Sequence, residues 1–140
     1  MSDDAKAVFN RYAEELWNKR NEAAIDELIA PDFVGRLGGG PDILGVEGYK
    51  QFFTAVFAAF PDCRATVEQM LAEGDRVAAH WSFQGTHQGE YAGIAATGKN
   101  VTSTTTAIYR IANGKIAEIW GDSDNLGLLQ QLTNADESKQ

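Results

Sequence analysis

Four long stretches in the second half of the chain alternate apolar and polar residues with a period of two, and tight turn signals separate them. A β-strand sends successive side chains to opposite faces, so stretches of this kind are half-buried strands. They run from about Arg64 to Glu73, Arg76 to Gly85, Asn100 to Ile111 and Lys115 to Gly121. Gly74-Asp75 joins the first pair and Asn113-Gly114 the last. Asn-Gly readily adopts the positive φ angles of a two-residue hairpin, which makes it the strongest turn signal in the chain. A longer excursion, Thr86 to Lys99, separates the middle strands. The result is an antiparallel meander that needs an apolar cover on at least one face.

The first half supplies that cover. A helix is predicted from about Asp3 to Lys19, with Val8, Phe9, Tyr12 and Leu16 on one face and Ser2, Asp3 and Asp4 at its positive end. A second runs from about Glu22 to Ala30, with Asn21 as its N-cap and Pro31 ending it. A short strand near Asp32 to Gly35 and a loop over 36–45 follow. The third helix, about Val46 to Phe60, carries Tyr49, Phe52, Phe53, Val56, Phe57 and Phe60 round much of its circumference, which predicts burial on several sides. A last short helix, about Asn125 to Leu132, packs Leu126, Leu129 and Leu132. Residues 1–133 read as one domain and 134–140 as a polar tail. Helices followed by a run of strands define an α+β fold, a cone-shaped curved antiparallel sheet wrapped around N-terminal helices, and the open end of such a cone suits a ligand.

Charge and composition narrow the function. The net charge is −8 and the basic residues are scattered, whereas a phosphate backbone demands clustered positive charge; nucleic acid is excluded as a partner, and so are anionic membranes. No run of apolar residues is long enough to span a bilayer. The acidic start lacks a secretory signal's basic and apolar segments, so a cytoplasmic location is expected. The single cysteine, Cys63, reads as a small filler residue near a strand start, with no adjacent base to activate it. Gly38-Gly39-Gly40-Pro41 lacks the strand-to-helix context of a phosphate loop and reads as a flexible rim.

Strand parity sorts side chains by face. Val77, Ala79, Trp81 and Phe83 share one face of their strand, and Val101, Ser103, Thr105, Ala107, Tyr109 and Ile111 one face of the next. These odd positions are the more apolar and are expected inside. On the last strand both faces carry large apolar groups, which suggests that the outer sheet face meets a second copy of the chain. The expected pocket residues are Tyr12, Leu16, Phe53, Phe57, Trp81, Phe83, Thr105, Tyr109 and Ile119. Trp17, Trp81 and Trp120 read as core or interface mass before ligand platforms. His80 and His87 have opposite parity and no third ligand accompanies them, so no metal is expected, and no cofactor.

Three residues are candidates for acid–base work. Asp122 and Asp124 leave the last strand at its end; either caps the following helix or stands at the pocket edge, where desolvation would raise its pKa. His87 opens the long loop, and either stabilises that loop or reaches the pocket mouth. Tyr12 and Tyr109 are core residues or donors to an enolate oxygen. The serines have no spaced His partner for a triad.

These features resemble the SnoaL-like polyketide cyclase family, within the nuclear-transport-factor-2-like superfamily. The resemblance covers about Ala7 to Leu132 and rests on Leu28-Ile29-Ala30-Pro31-Asp32-Phe33-Val34, Ala59-Phe60-Pro61-Asp62 and Glu73-Gly74-Asp75-Arg76-Val77-Ala78. It continues through Gly85-Thr86-His87-Gln88-Gly89-Glu90-Tyr91, Tyr109-Arg110-Ile111 and Asn113-Gly114-Lys115-Ile116 to Leu126-Gly127-Leu128-Leu129. It implies an α+β cone, a dimer through the sheet, no metal and no cofactor, and closure of a polyketide ester ring by intramolecular aldol chemistry. It also implies an Asp that takes the proton and a His that supports it. Those positions here are Gly121 and Ala107. Two readings stay open: a cofactor-free cyclase or isomerase acting on a small hydrophobic carbonyl compound, and a non-catalytic dimer that binds such a molecule.

Overall fold

The computed structural model describes residues 2–38 and 40–133, so Gly39 and the polar tail 134–140 lie outside the described residues. Helix α1 (Ser2–Tyr12) passes without a break into one wide π-helical stretch, Ala13–Asn18. Ordinary helical spacing leaves Trp17 off the apolar face; the wider turn, with Lys19 N–H donating to the Glu14 carbonyl at 2.9 Å, buries Leu16 and Trp17 side by side. A single 3₁₀ turn (Glu22–Ala24) leads into α2 (Ile25–Leu28). The sequence predicts this helix as far as Ala30, but strand β1 already begins at Ile29 and runs to Leu37. Pro31 is therefore a strand residue, and it sits in the register shift between Ile29 and Val34 where a missing N–H costs no ladder bond. Asn21 makes no capping side-chain bond.

The expected loop 36–45 also contains a two-residue strand, β2 (Ile43–Leu44), paired antiparallel with β1. Then come α3 (Gly45–Ala59), β3 (Arg64–Glu73), β4 (Arg76–Thr86), β5 (Asn100–Ala112), β6 (Lys115–Ser123) and α4 (Asn125–Thr133). The sheet order is β2-β1-β6-β5-β4-β3. The meander β3 to β6 is antiparallel as its turns dictate, but β1 adds to β6 in parallel, so the six-stranded sheet is mixed.

Helices α1 and α3 cover the inner face. Phe9, Leu16, Ile25, Leu28, Ile29, Phe33, Val77 and Ile116 are almost completely buried there. Ile116 joins them despite its even number because the register shifts between Arg110 and Ile111, beside the Asn113-Gly114 turn, and rotates it inward. Trp120 remains outside, where the guanidinium groups of Arg36 and Arg76 stand 5.5 and 5.3 Å from its ring. The two-sided apolar pattern of β6 thus has a local cause. Asp62 ties the α3–β3 turn to the end of β4, accepting from the Thr86 N–H and hydroxyl at 2.7 Å each. No helix among the described residues is long and apolar enough to cross a membrane.

Candidate functional site

Between the inner sheet face and the helices lies a cavity of about 630 Å³, within the usual range for a small-molecule site. Its floor is the odd row of β5, from Tyr109 through Ala107, Thr105 and Ser103 to Val101, flanked by Trp81 and Phe83 of β4 and Ile119 of β6. Tyr12, Trp17, Phe52 and Val56 close it from the helical side. At the other end stand Gly38, Gly40 and Pro41, then Tyr91 and Ala92 of the long loop, and Leu128 and Leu129 of α4. Strand parity places these β4 and β5 residues, but Gln84, of the opposite parity near the end of β4, also lines the cavity.

The lining holds no Asp, Glu, His, Lys or Arg among the described residues. Its polar groups are hydroxyls, indoles and, toward the open end, the amides of Gln84 and Asn125. The Tyr12 and Tyr49 hydroxyls are 2.7 Å apart, and the Trp17 indole N–H donates to both at 3.2 Å. The Trp81 indole N–H donates to the Tyr109 hydroxyl at 2.8 Å. The rings of Tyr12 and Tyr109 stand 5.7 Å apart, with Phe9 packed on both. Farther along, Thr105 and Ser123 share a hydroxyl contact of 2.7 Å. Burial pushes Tyr12 up to about 12, and Tyr49 and Tyr109 well above the usual phenol range, so these hydroxyls are neutral donors at physiological pH. Cys63 also faces the cavity; burial pushes its thiol up to about 11, which keeps it protonated and poorly nucleophilic.

Of the nine expected pocket residues, Tyr12, Trp81, Phe83, Thr105, Tyr109 and Ile119 line the cavity. Leu16 lies in the core behind it. Phe53 and Phe57 pack on the Trp17 ring at 5.5 and 5.6 Å and border a shallower hollow beside Arg20. Phe52 and Val56 take their place at the cavity. Both pairs are four apart, and a helix apolar all round does not reveal its phase from sequence.

The three acid–base candidates lie outside the lining. Asp122 is exposed and opposes Thr106 across the ladder, on the outer face, because β6 has no bulge at this end. Its Oδ1 would be 2.9 Å from a Cβ placed on Gly38, so the carboxylate rests beside the cavity rim. Asp124 caps α4: its Oδ1 accepts from the Gly127 N–H at 2.9 Å. His87 is fully buried, with Nδ1 accepting from the Thr97 N–H at 3.2 Å and in contact with the Thr97 hydroxyl at 3.0 Å. Two backbone bonds, His87 N–H to Lys99 and Gly98 N–H to His87, both 2.8 Å, make it the clasp of the 86–99 loop. His80 is on the outer face with Thr106. No three His, Cys, Asp or Glu side chains among the described residues cluster as metal ligands.

Gly121 and Ala107 face each other across β6 and β5 on the inner side. A Cβ on Gly121 would stand 2.9 Å from Leu37 Cδ2 and 3.2 Å from Ala107 Cβ. Where the resemblance puts a carboxylate and an imidazole, this wall is aliphatic, with Leu37 in the space.

The chain is thus an α+β sheet closed by helices around a largely apolar cavity. The family comparison is more specific: the model of the SnoaL-like polyketide cyclase family matches residues 7–132. The chain belongs to that family. It is 29% identical over 122 residues to the aklanonic acid methyl ester cyclase DauD of Streptomyces sp. (strain C5), covering 84% of this chain and 75% of the relative. The corresponding cyclase DnrD of Streptomyces peucetius gives the same identity, with 83% of the relative covered. Among solved structures, wild-type IdmH of Streptomyces antibioticus is 32% identical, covers 91% of this chain and 97% of its own, and superposes with a TM-score of 0.78. A protein of Jannaschia sp. CCS1 shares the fold at a TM-score of 0.88, with 21% identity and 95% and 94% coverage.

Proposed function

We propose that the chain encloses a small hydrophobic carbonyl compound of the polyketide type and acts on it as a cofactor-free cyclase or isomerase. The observation that carries this reading is the apolar cavity with the neutral hydroxyls of Tyr12 and Tyr109 among its deepest polar groups. A carbonyl oxygen placed there meets donors that strengthen as it gains enolate charge, in a site of low dielectric. Asp122, resting beside Gly38 at the rim, is the candidate proton acceptor. Dimerisation through the outer sheet face belongs to the same reading; Ile108 is exposed there, beside Thr102, Thr104 and Thr106, and sedimentation equilibrium tests it.

One observation favours a second reading, binding without turnover: no carboxylate or imidazole lines the cavity among the described residues. Aklanonic acid methyl ester separates the two. Cyclised product in a mass-spectrometric assay, lost in Asp122→Asn, supports the enzyme. Saturable binding by calorimetry without product supports the binder, and neither binding nor product overturns both.

A further inference from the structure

We infer that Trp81 and the buried Tyr49 fix the direction of the hydrogen bonds at the tyrosine end of the cavity, so that this end selects a bare acceptor oxygen. The class is a ketone, quinone or ester carbonyl, or its enolate, rather than an apolar skeleton of the same shape. The inference rests on the carbonyl-ligand reading and adds to it which residues make the selection.

The argument is a count of donors and acceptors. An indole N–H can only donate, and a phenol hydroxyl has one hydrogen to give. The Trp81 N–H points at the Tyr109 oxygen from 2.8 Å. Tyr109 then cannot use its own hydrogen toward Trp81, and no other hydrogen-bond partner accompanies that hydroxyl among the described residues. Its hydrogen is therefore available to the cavity.

At the neighbouring site two hydroxyls, Tyr12 and Tyr49, share one bond of 2.7 Å, and Trp17 supplies a donor to both oxygens. One of the two hydrogens is used between them and the other is left over. Tyr49 is buried at 1% exposure and does not line the cavity. A leftover hydrogen on Tyr49 would be a buried donor with no partner, which is costly. The economical arrangement has Tyr49 donating to Tyr12, and Tyr12 donating into the cavity.

The Trp81 indole and the buried Tyr49 phenol thus turn Tyr109 and Tyr12, whose rings stand 5.7 Å apart, into donors toward the cavity. A carbonyl satisfies them; a hydrocarbon leaves both unpaired. Tyr12 and Tyr109 touch the ligand, and Trp81 and Tyr49 are positioning residues.

The test uses 9-fluorenone and fluorene, which share a tricyclic skeleton and differ by the carbonyl. Calorimetry on the wild-type chain should give fluorenone about tenfold tighter binding than fluorene. The C=O stretch of bound fluorenone should lie below its value in hexane. Tyr109→Phe keeps the packing and should reduce the preference and move the stretch back toward the hexane value. Trp81→Phe removes part of the wall and weakens both probes, but should weaken fluorenone several-fold more than fluorene, with a smaller infrared shift, which loss of packing alone does not produce. If both probes bind the wild type equally and the stretch is unshifted, the inference is overturned and the apolar cavity stands. If both substitutions leave preference and stretch unchanged, the inference is likewise overturned. If neither probe binds the wild type, the carbonyl-ligand reading falls together with it.

Discussion

Substituting Gly121 by Asp puts a carboxylate on the inner wall at the position where the family resemblance expects one, and the structure predicts that the fold resists it. The backbone there is tight: a new Cβ lands 2.9 Å from Leu37 Cδ2 and 3.2 Å from Ala107 Cβ. Leu37 Cδ2 is the free end of a flexible chain and can yield, so the steric part costs about 1–2 kcal/mol. The charge costs more. Cavity residues around it supply no cation among the described residues. Desolvation of a carboxyl in such a site raises its pKa by about 2–3 units, each equivalent to about 1.4 kcal/mol, which adds roughly 3–4 kcal/mol at neutral pH. The introduced group has a folded pKa above its unfolded value, so the folded state binds more protons between the two and stability falls as pH rises through that window. Urea denaturation of G121D and wild type at pH 4.5 and pH 8 measures this. The expected loss is about 4–6 kcal/mol at pH 8 and about 2–3 kcal/mol at pH 4.5, where the unfolded carboxyl is already mostly ionised. A loss below about 1 kcal/mol, equal at both pH values, would refute the reasoning, because the inner face at Gly121 would then be solvated.

Alkaline titration should show the buried phenols. Tyr12 is pushed up to about 12, and Tyr49 and Tyr109 higher, all by burial, so their folded pKa values exceed the unfolded value of about 10. Their contribution to stability is fully present below about pH 10 and is lost as the pH climbs through the folded values. Most of the rise in absorbance at 295 nm, that of these three of the four tyrosines, should therefore come in one cooperative step that coincides with loss of the far-ultraviolet circular dichroism; gradual ionisation of all four near pH 10 in a folded chain would contradict it. Asp124→Ala should cost about 1 kcal/mol and speed amide exchange at Gly127 and Leu128, while Asp124→Asn keeps the cap, because the Gly127 N–H loses its acceptor only in the first.

Strand parity is the reason so much of the cavity could be read from sequence. Once Asn113-Gly114 and Gly74-Asp75 set the turns, Trp81, Thr105, Tyr109 and Ile119 had only one side to occupy, and they line the cavity. The helical side was less legible. A π stretch depends on tertiary packing, not on local propensity, and it brings Trp17 to the Tyr12–Tyr49 pair. An apolar α3 left the choice between Phe52 and Phe53 open until the sheet fixed its rotation. The parallel pairing of β1 with β6 joins segments far apart in the chain, and no local signal announces it. Asp122, Asp124 and His87 attracted attention as chemical types, yet register, capping and a buried loop clasp account for where they sit. The indole-to-phenol bonds require five side chains from α1, its π extension, α3 and the sheet to meet, which no spacing rule reveals.

The account depends on a hollow between the odd face of the sheet and the covering helices, and xenon reports such apolar space directly. A crystal structure under xenon pressure should show xenon beside Trp81, Tyr109 and Val101, enclosed by Tyr12 and Phe52. Xenon only on the opposite sheet face, near Ile108 and Trp120, with Trp81, Phe83 and Tyr109 in contact with bulk water, would contradict it.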